Sequence, residues 1–274
     1  MLIRAGFRIG YDLPRPTPMI LVLSVHPSRL PGLRTPHEIA FDPAISAREY
    51  RDGFGNICHR IVGPEGRLTI SNDFIIEDSG APDEFAPDAQ QHPIEDLPDD
   101  VLVYLLGSRY CETDRLSDTA WSLFADSPLG WGRVQAICDY VHERITFGYE
   151  YARPTKTAWD AFMERKGVCR DFTHLAVTFC RCMNIPARYC TGYLGDIGVP
   201  PADSPMDFSA WFEAYLGGRW YTFDARHNHR RIGRILMAHG RDATDVAITT
   251  NFGSATLAEF AVITDEILEG AAQA

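Results

Sequence analysis

Cys169 is the residue whose type and position first offer chemistry in this sequence. Behind it, apolar residues recur at helical spacing, which predicts a buried helix from residue 168 to about residue 183. Gly167 gives the chain a place to turn into that helix. A cysteine in the first turn of a helix faces unsatisfied N–H groups and the positive end of the dipole, which favour the nucleophilic thiolate. The alternative is a buried structural cysteine, the commoner fate of a free thiol.

Other groups of ligating side chains give weaker signals. His227 and His229 are two residues apart in a basic loop, a pattern more typical of solvated surface residues than of a metal pair. The acidic run at residues 96–100 lacks the regular ligand spacing of a calcium loop. Cys180 and Cys182 have one residue between them and no second pair, so they do not fit a zinc knuckle. We therefore predict no metal and no cofactor.

The composition is that of an ordinary globular protein, with 274 residues, 45% of them apolar and 23% charged. A net charge of −11 without a basic run argues against nucleic acid as a partner. No stretch has the apolar length of a membrane helix, and the first residues lack the order of a signal peptide, so no membrane association is expected. Seven cysteines lie mostly in apolar segments, which predicts reduced thiols and a cytoplasmic location.

Residues 1–90 are predicted to form an N-terminal antiparallel β-sandwich. Short β-rich segments alternate there with Gly and Pro turns, as is typical of a sandwich. The segments lie at residues 7–11, 19–25, 57–61 and 68–77. Residues 79–98 hold four prolines, many acidic residues and few large apolar ones, so we interpret them as a linker or surface crossing near a domain boundary.

Residues 91–274 are predicted to form a second domain of the α+β class. Amphipathic segments at residues 131–145 and 157–162 precede the Cys169 helix. Three strands are predicted after it, at residues 187–193, 208–216 and 220–224, the last two joined by a Gly217-Gly218 hairpin turn. Helices followed by antiparallel strands indicate an α+β arrangement.

Four motifs in this second half resemble the bacterial transglutaminase-like cysteine protease family. They match in order, spacing and flanking aromatic residues, and they are GVCRDF at 167–172, NIPARY at 184–189, AWFEAY at 210–215 and WYTFD at 220–224. Residues 52–56, 104–110 and 231–247 also resemble one bacterial branch that has a β domain before the core. The resemblance covers almost the whole chain and implies a papain-like core that follows the sandwich.

The family's site is a Cys-His-Asp triad. By motif, Cys169 matches the nucleophile and Asp224 matches the residue that orients the histidine. The histidine should stand directly before Ala210, and here that position is Ser209. A hydroxyl does not titrate near neutral pH, so Ser209 cannot take the thiol proton or protonate the leaving amine. General acid–base assistance contributes about 10²–10⁴-fold, so we predict that the chain as given is nearly inactive.

Three explanations of Ser209 remain open: an engineered substitution that traps an enzyme, a natural degenerate site, or replacement by another histidine. His174 is five residues after Cys169, about 140° around the helix, and should not face the sulfur. His227 is expected on the loop that leaves the last strand and is the better substitute. Trp211 is expected to share a strand face with Ser209, and Val168 to border the nucleophile, so we predict that both lie beside the site or its substrate groove.

The resemblance implies acyl transfer at a peptide or glutamine amide through a Cys169 thioester, with hydrolysis, deamidation or cross-linking as the outcome. The partner is then a peptide or protein substrate. The backbone N–H of Cys169 is expected to bind the oxyanion in part. The rival hypothesis is a non-catalytic binding module that holds a peptide in the former active-site groove.

Overall fold

The computed structural model, which describes residues 1–201 and 205–268, confirms the α+β class. The strands are β1 Leu2–Leu13, β2 Thr17–Leu21, β3 Ala40–Asp42, β4 Arg48–Arg51, β5 Ile57–Gly63, β6 Gly66–Glu77, β7 Thr146–Phe147, β8 Lys166–Gly167, β9 Ala187–Tyr193, β10 Ser209–Leu216, β11 Arg219–Phe223, β12 Ile235–Gly240, β13 Thr249–Asn251 and β14 Thr256–Ile267. The helices are α1 Asp99–Leu102, α2 Thr113–Phe124, α3 Trp131–Arg144, α4 Ala158–Glu164 and α5 Cys169–Cys182. Short 3₁₀ turns cover Pro27–Gly32, Ile94–Asp96, Val103–Leu105 and Tyr149–Tyr151.

The N-terminal sandwich consists of two four-stranded antiparallel sheets, in the strand orders β14-β1-β6-β3 and β13-β2-β5-β4. Alternate side chains of β1 and β6 point into one apolar core, which they share with Met19, Leu21 and Ile61 from the other sheet. The apolar run at residues 19–25 was predicted as one strand, but β2 ends at Leu21. Leu23 and Val25 are buried without strand pairing, because a run of apolar residues reports burial more directly than it reports backbone pairing.

The end of the chain returns to this sandwich. β14 pairs with β1 along nearly its whole length, and β13 pairs with β2. The division into residues 1–90 and 91–274 stays a prediction about independently folding units, but the sandwich takes strands from both ranges. Such pairing across more than 200 residues leaves no local pattern in the sequence.

The second half has a four-stranded antiparallel sheet in the order β11-β10-β9-β12, with α5 packed on β9 and β10. The predicted helices and strands around Cys169 are confirmed to within a few residues, whereas α2 and β12 were not predicted. Gly217 and Gly218 have φ values of 56° and 85°, which a two-residue hairpin of this kind requires. Helices α2 to α5 share an apolar core with one face of this sheet.

The middle of this sheet depends on close approach at Gly192. Gly192 pairs with Ser209 on one side and with Leu236 on the other. A Cβ atom added there would overlap the Ile235 carbonyl oxygen and lie 2.9 Å from the Trp211 ring. No other residue type therefore fits at this position without moving β12 or Trp211.

We expect Gly192→Ala to lower the free energy of unfolding by about 1–3 kcal/mol, because the added methyl group overpacks the sheet. Urea denaturation measures this. Gly53→Ala is the matched control, since a Cβ atom there meets nothing within 4 Å, and it should stay within about 0.5 kcal/mol of the parent. Equal stability of the two variants would show that the sheet has room at residue 192.

Candidate active site

Cys169 is the first residue of α5, and the turn before it is fixed by Asp171. The backbone N–H of Val168 donates to Asp171 Oδ2 at 2.9 Å, and the N–H of Asp171 donates to the Val168 carbonyl at 2.8 Å. A Cβ atom on Gly167 would overlap the Asp171 carboxylate, so glycine is needed for this turn. Asp171 therefore caps the helix and thereby holds Cys169 at its start.

Two cavities meet at Cys169. The first, here called the polar cavity, has a volume of about 300 Å³ and is lined by Cys169, Ser209, Asp207, Arg226, His227 and Arg231, among others. The second, here called the apolar groove, has about 350 Å³ and includes Cys169, Ser209, Val168, Tyr189, Phe208 and Phe260 in its lining. Cys169 thus borders both a polar and a more apolar cavity.

The thiol of Cys169 is neutral at physiological pH. Burial raises its pKa to about 11, and the charge of Asp207 adds to this, while Arg226 and a hydrogen bond from the Ala210 backbone N–H oppose it. The expectation that the helix start would favour a thiolate is therefore not met. The reason is that desolvation of the charged form outweighs the nearby Arg226 guanidinium and the Ala210 N–H.

Ser209 opens β10, as expected, and lines both cavities beside Cys169. Its carbonyl oxygen accepts a hydrogen bond from Thr191 Oγ1 at 3.2 Å. Trp211 lies two residues further along the same strand and is only 2% exposed. It lines neither of the two cavities and instead stacks against the Arg234 guanidinium, 5.0 Å from the ring centre. Trp211 therefore contacts the residue that binds Asp224, and not the cavities beside Cys169.

Asp224 follows the last residue of β11, and its carboxylate accepts four hydrogen bonds. Oδ1 accepts from the backbone N–H groups of Arg226 and His227, both at 3.0 Å. Oδ2 accepts from His227 Nδ1 at 2.9 Å and from Arg234 Nη2 at 2.8 Å. Burial alone would raise the pKa of Asp224, but the Arg234 charge and the His227 hydrogen bonds hold it far below its usual range. The carboxylate is therefore ionised.

Arg234 connects Asp224 to the segment that was interpreted as a linker. Its Nε donates to both carboxylate oxygens of Asp83, at 2.9 and 3.0 Å. The backbone N–H of Arg231 also donates to Asp83, at 2.9 Å. The segment around residue 83 is thus a surface crossing that is fastened to the site. Asp83 and Arg234 were missed as site residues, because ion pairs 151 residues apart follow no sequence spacing.

Three histidines were candidates for the base that Ser209 cannot supply or for a metal pair. His174 is fully buried, stacks on Tyr110, accepts a hydrogen bond at Nε2 from the Ala243 backbone N–H, and lines neither cavity beside Cys169. His227 and His229 both line the polar cavity. Sequence reasoning also missed Asp207 and Arg226, whose charges act on Cys169. The sequence signal that could have identified them was proximity, because Asp207 lies two residues before Ser209 and Arg226 lies two residues after Asp224.

The described residues also limit what else this region could be. In residues 1–201 and 205–268, no three His, Cys, Asp or Glu side chains converge in a way that could hold a metal ion. The absence of a metal and of a cofactor remains a prediction. In the same ranges, no helix combines the length and apolar character needed to cross a membrane.

Comparison with known proteins supports the resemblance seen in the motifs. Residues 120–225 match the model of the transglutaminase-like superfamily. The crystal structure of a candidate cysteine protease from Cytophaga hutchinsonii has a TM-score of 0.83 and 29% identity, over 97% of this chain and 90% of that one. An uncharacterised protein of Mycobacterium tuberculosis is 26% identical over 230 residues, which cover 77% of this chain and 73% of that protein. An uncharacterised protein of Mycobacterium leprae is 37% identical over 95 residues, about a third of its length.

We expect Arg234→Met to lower the free energy of unfolding by about 3–5 kcal/mol, because it leaves the buried carboxylate of Asp224 and the partly buried carboxylate of Asp83 without their cation. The Arg234 side chain is 7% exposed and that of Asp224 is 3% exposed. Arg219→Met is the matched control, since Arg219 pairs with Glu84 at the exposed surface and should contribute at most about 1 kcal/mol. Denaturation in urea at neutral pH compares the two, and similar losses would contradict this account of the Arg234 network.

Proposed function

Because the chain has a transglutaminase-like core and shares its overall fold with a candidate cysteine protease, we propose that its chemistry is acyl transfer from amides through Cys169. The observation that carries this proposal is the placement of Cys169 at the start of α5, beside Ser209 and at the junction of two cavities. The substrate class is a peptide or protein amide, including glutamine side chains. With serine at position 209, the chain as given is nearly inactive.

The proposed reaction forms and breaks one bond at a time around the amide carbon. Cys169 Sγ attacks the carbonyl carbon, and the pair of electrons of the C=O bond moves onto oxygen. The C–N bond then breaks, the nitrogen leaves with a proton, and a thioester remains on Cys169. Water releases an acid, and a second amine instead gives a cross-link. The Cys169 N–H, which has no intrahelical acceptor at the helix start, is proposed as an oxyanion donor.

The apolar groove supports the proposed substrate class, and the free cysteines support the expected location. The apolar groove beside the sulfur has the volume of a side-chain pocket and is lined by Tyr189 and Phe208, which suits an extended peptide with an apolar residue. All seven cysteines are unpaired, which supports the cytoplasmic location expected from the sequence. The neutral Cys169 thiol, with its pKa near 11, favours the alternative, a binding module that has lost catalysis, unless a base removes the thiol proton during attack.

Alkylation of Cys169 by iodoacetamide against pH separates these alternatives. In the parent chain, the part of the rate that passes through a preformed thiolate should rise with pH towards the thiol pKa of about 11. In Ser209→His, an imidazolium beside the sulfur should stabilise the thiolate, so the plateau should extend well below the pH of an ordinary thiol, about 8.5. Intact mass measures the extent of alkylation, and peptide mapping identifies the modified residue.

Ser209→Asn is the matched control, because an amide adds bulk and hydrogen bonding without a titrating group. It should leave the pH profile where the parent has it. If the Ser209→His profile also stays unchanged, Cys169 and position 209 are not partners, and the binding module becomes the better explanation. If it shifts, the same variant should hydrolyse a blocked glutaminyl-glycine amide, and Cys169→Ser in that background should abolish the reaction.

A further inference from the structure

We propose that His227 is the proton-transfer residue of this site, in the role that the resemblance assigns to position 209. The inference rests on the proposed thioester chemistry and names the group that serves it in this chain. It concerns the low activity that remains with serine at position 209.

The loop after β11 holds His227 rigidly against Asp224. The Asp224 carbonyl accepts from the Asn228 backbone N–H at 2.8 Å, while its carboxylate accepts both the backbone and the ring Nδ1 of His227. The Asn228 side chain is itself bound to Gln135 and Asp139 on α3. The imidazole is therefore positioned by a carboxylate at one nitrogen, as a general base must be.

The ionised Asp224 accepts from Nδ1 and so fixes the tautomer of His227. Nδ1 carries the hydrogen, which leaves Nε2 as the nitrogen that can take a proton. The His227 ring borders the polar cavity, which Cys169 and Ser209 also line. Proton transfer in such a cavity proceeds directly or through one water molecule.

The lone-pair sites of the Asp224 carboxylate explain why the proton-transfer role falls to His227 and not to residue 209. A carboxylate offers about four lone-pair sites. Four donors already occupy Asp224, two from backbone N–H groups, one from Arg234 and one from His227. An imidazole at position 209 would find this carboxylate fully used, whereas a serine there leaves the cavity open between the sulfur and His227.

Burial, helped by two nearby arginines, keeps the His227 ring neutral at pH 7 against the opposing effect of Asp224. Burial lowers the pKa of His227 from its usual 6.5, Asp224 raises it, and Arg226 and Arg231 lower it. His229 lies 5.9 Å away between ring centres. The remaining ionisable groups that line the same cavity are Tyr149, Cys169, Asp196 and Asp207. A neutral imidazole is the form that accepts a proton, and it persists at pH values above its lowered pKa.

In the proposed step, Nε2 takes the thiol proton while the bond from sulfur to the carbonyl carbon forms. The imidazolium then gives that proton to the nitrogen as the C–N bond breaks. The proton count balances, and no further reactant is needed. Since the Cys169 thiol is protonated at neutral pH, the base acts during attack and does not depend on a preformed thiolate.

The test is single-turnover acylation of Cys169 by p-nitrophenyl acetate, followed by intact mass from pH 5 to 10. We expect His227→Gln to slow acylation near pH 7 by about 10²-fold, the lower end of general-base assistance. The parent should keep a rate that falls only as the pH drops through the pKa of His227, which burial holds below the usual 6.5 of the ring. In His227→Gln that plateau should vanish, and the rate should rise with pH as the thiolate forms.

Two controls separate proton transfer from a structural effect. His92→Gln alters a partly buried histidine that lines neither cavity and should leave the profile unchanged. Added imidazole should restore acylation in His227→Ala, because a free base can enter the space that the ring leaves, whereas it would not repair a misfolded site. Failure of this rescue together with an unchanged His227→Gln profile overturns the proposal.

A double variant shows which histidine Asp224 serves. In Ser209→His with His227→Gln, one acceptor site of Asp224 is freed, so acylation should be at least as fast as in Ser209→His alone. If it is instead as slow as in His227→Gln alone, position 209 cannot use Asp224. If Cys169→Ser abolishes acylation but His227→Gln does not slow it, the thioester function stands and the role of His227 is rejected. If acylation is unchanged in Cys169→Ser, the thioester function itself is rejected.

Discussion

The buried carboxylate of Asp224 is the interaction on which the rest of the site depends. A charge at this depth is tolerated only when its lone pairs are filled, and here four donors fill them. Each donor ties down a different part of the chain. The two backbone N–H groups shape the loop after β11, His227 places a ring in the polar cavity, and Arg234 brings in the segment that leads to β12.

Arg234 extends this constraint to distant parts of the sequence. By binding both Asp224 and Asp83, it fastens the proline-rich crossing to the end of the β10–β11 hairpin. Trp211 covers the guanidinium from the neighbouring strand. The Arg234 guanidinium thus joins three parts of the chain: the crossing at Asp83, the core sheet, and the segment before β12. The geometry at Asp224 therefore depends on packing between segments far apart in sequence.

The surroundings of Cys169 balance two opposing effects. Arg226 and the Ala210 backbone N–H favour a negative sulfur, whereas burial and Asp207 oppose it, and burial is the largest effect. In the proposed reaction, such a site stores its nucleophile as a thiol and needs a base when a substrate arrives. The polar cavity supplies the histidine and the charges, while the apolar groove on the other side offers the surface that a peptide could cover.

Local patterns in the sequence determined the helix that begins at Cys169, the Gly217-Gly218 hairpin, the placement of Ser209 at the start of β10 and the turn after Asp224. Those features depend on spacing and turn chemistry within a few residues, so they can be read directly. The tertiary structure alone decided the return of β13 and β14 to the sandwich, the Asp83–Arg234 pair and the neutral state of the Cys169 thiol. Contacts between residues far apart in sequence and the desolvation of a group depend on what packs around it, and neither leaves a periodic trace along the chain.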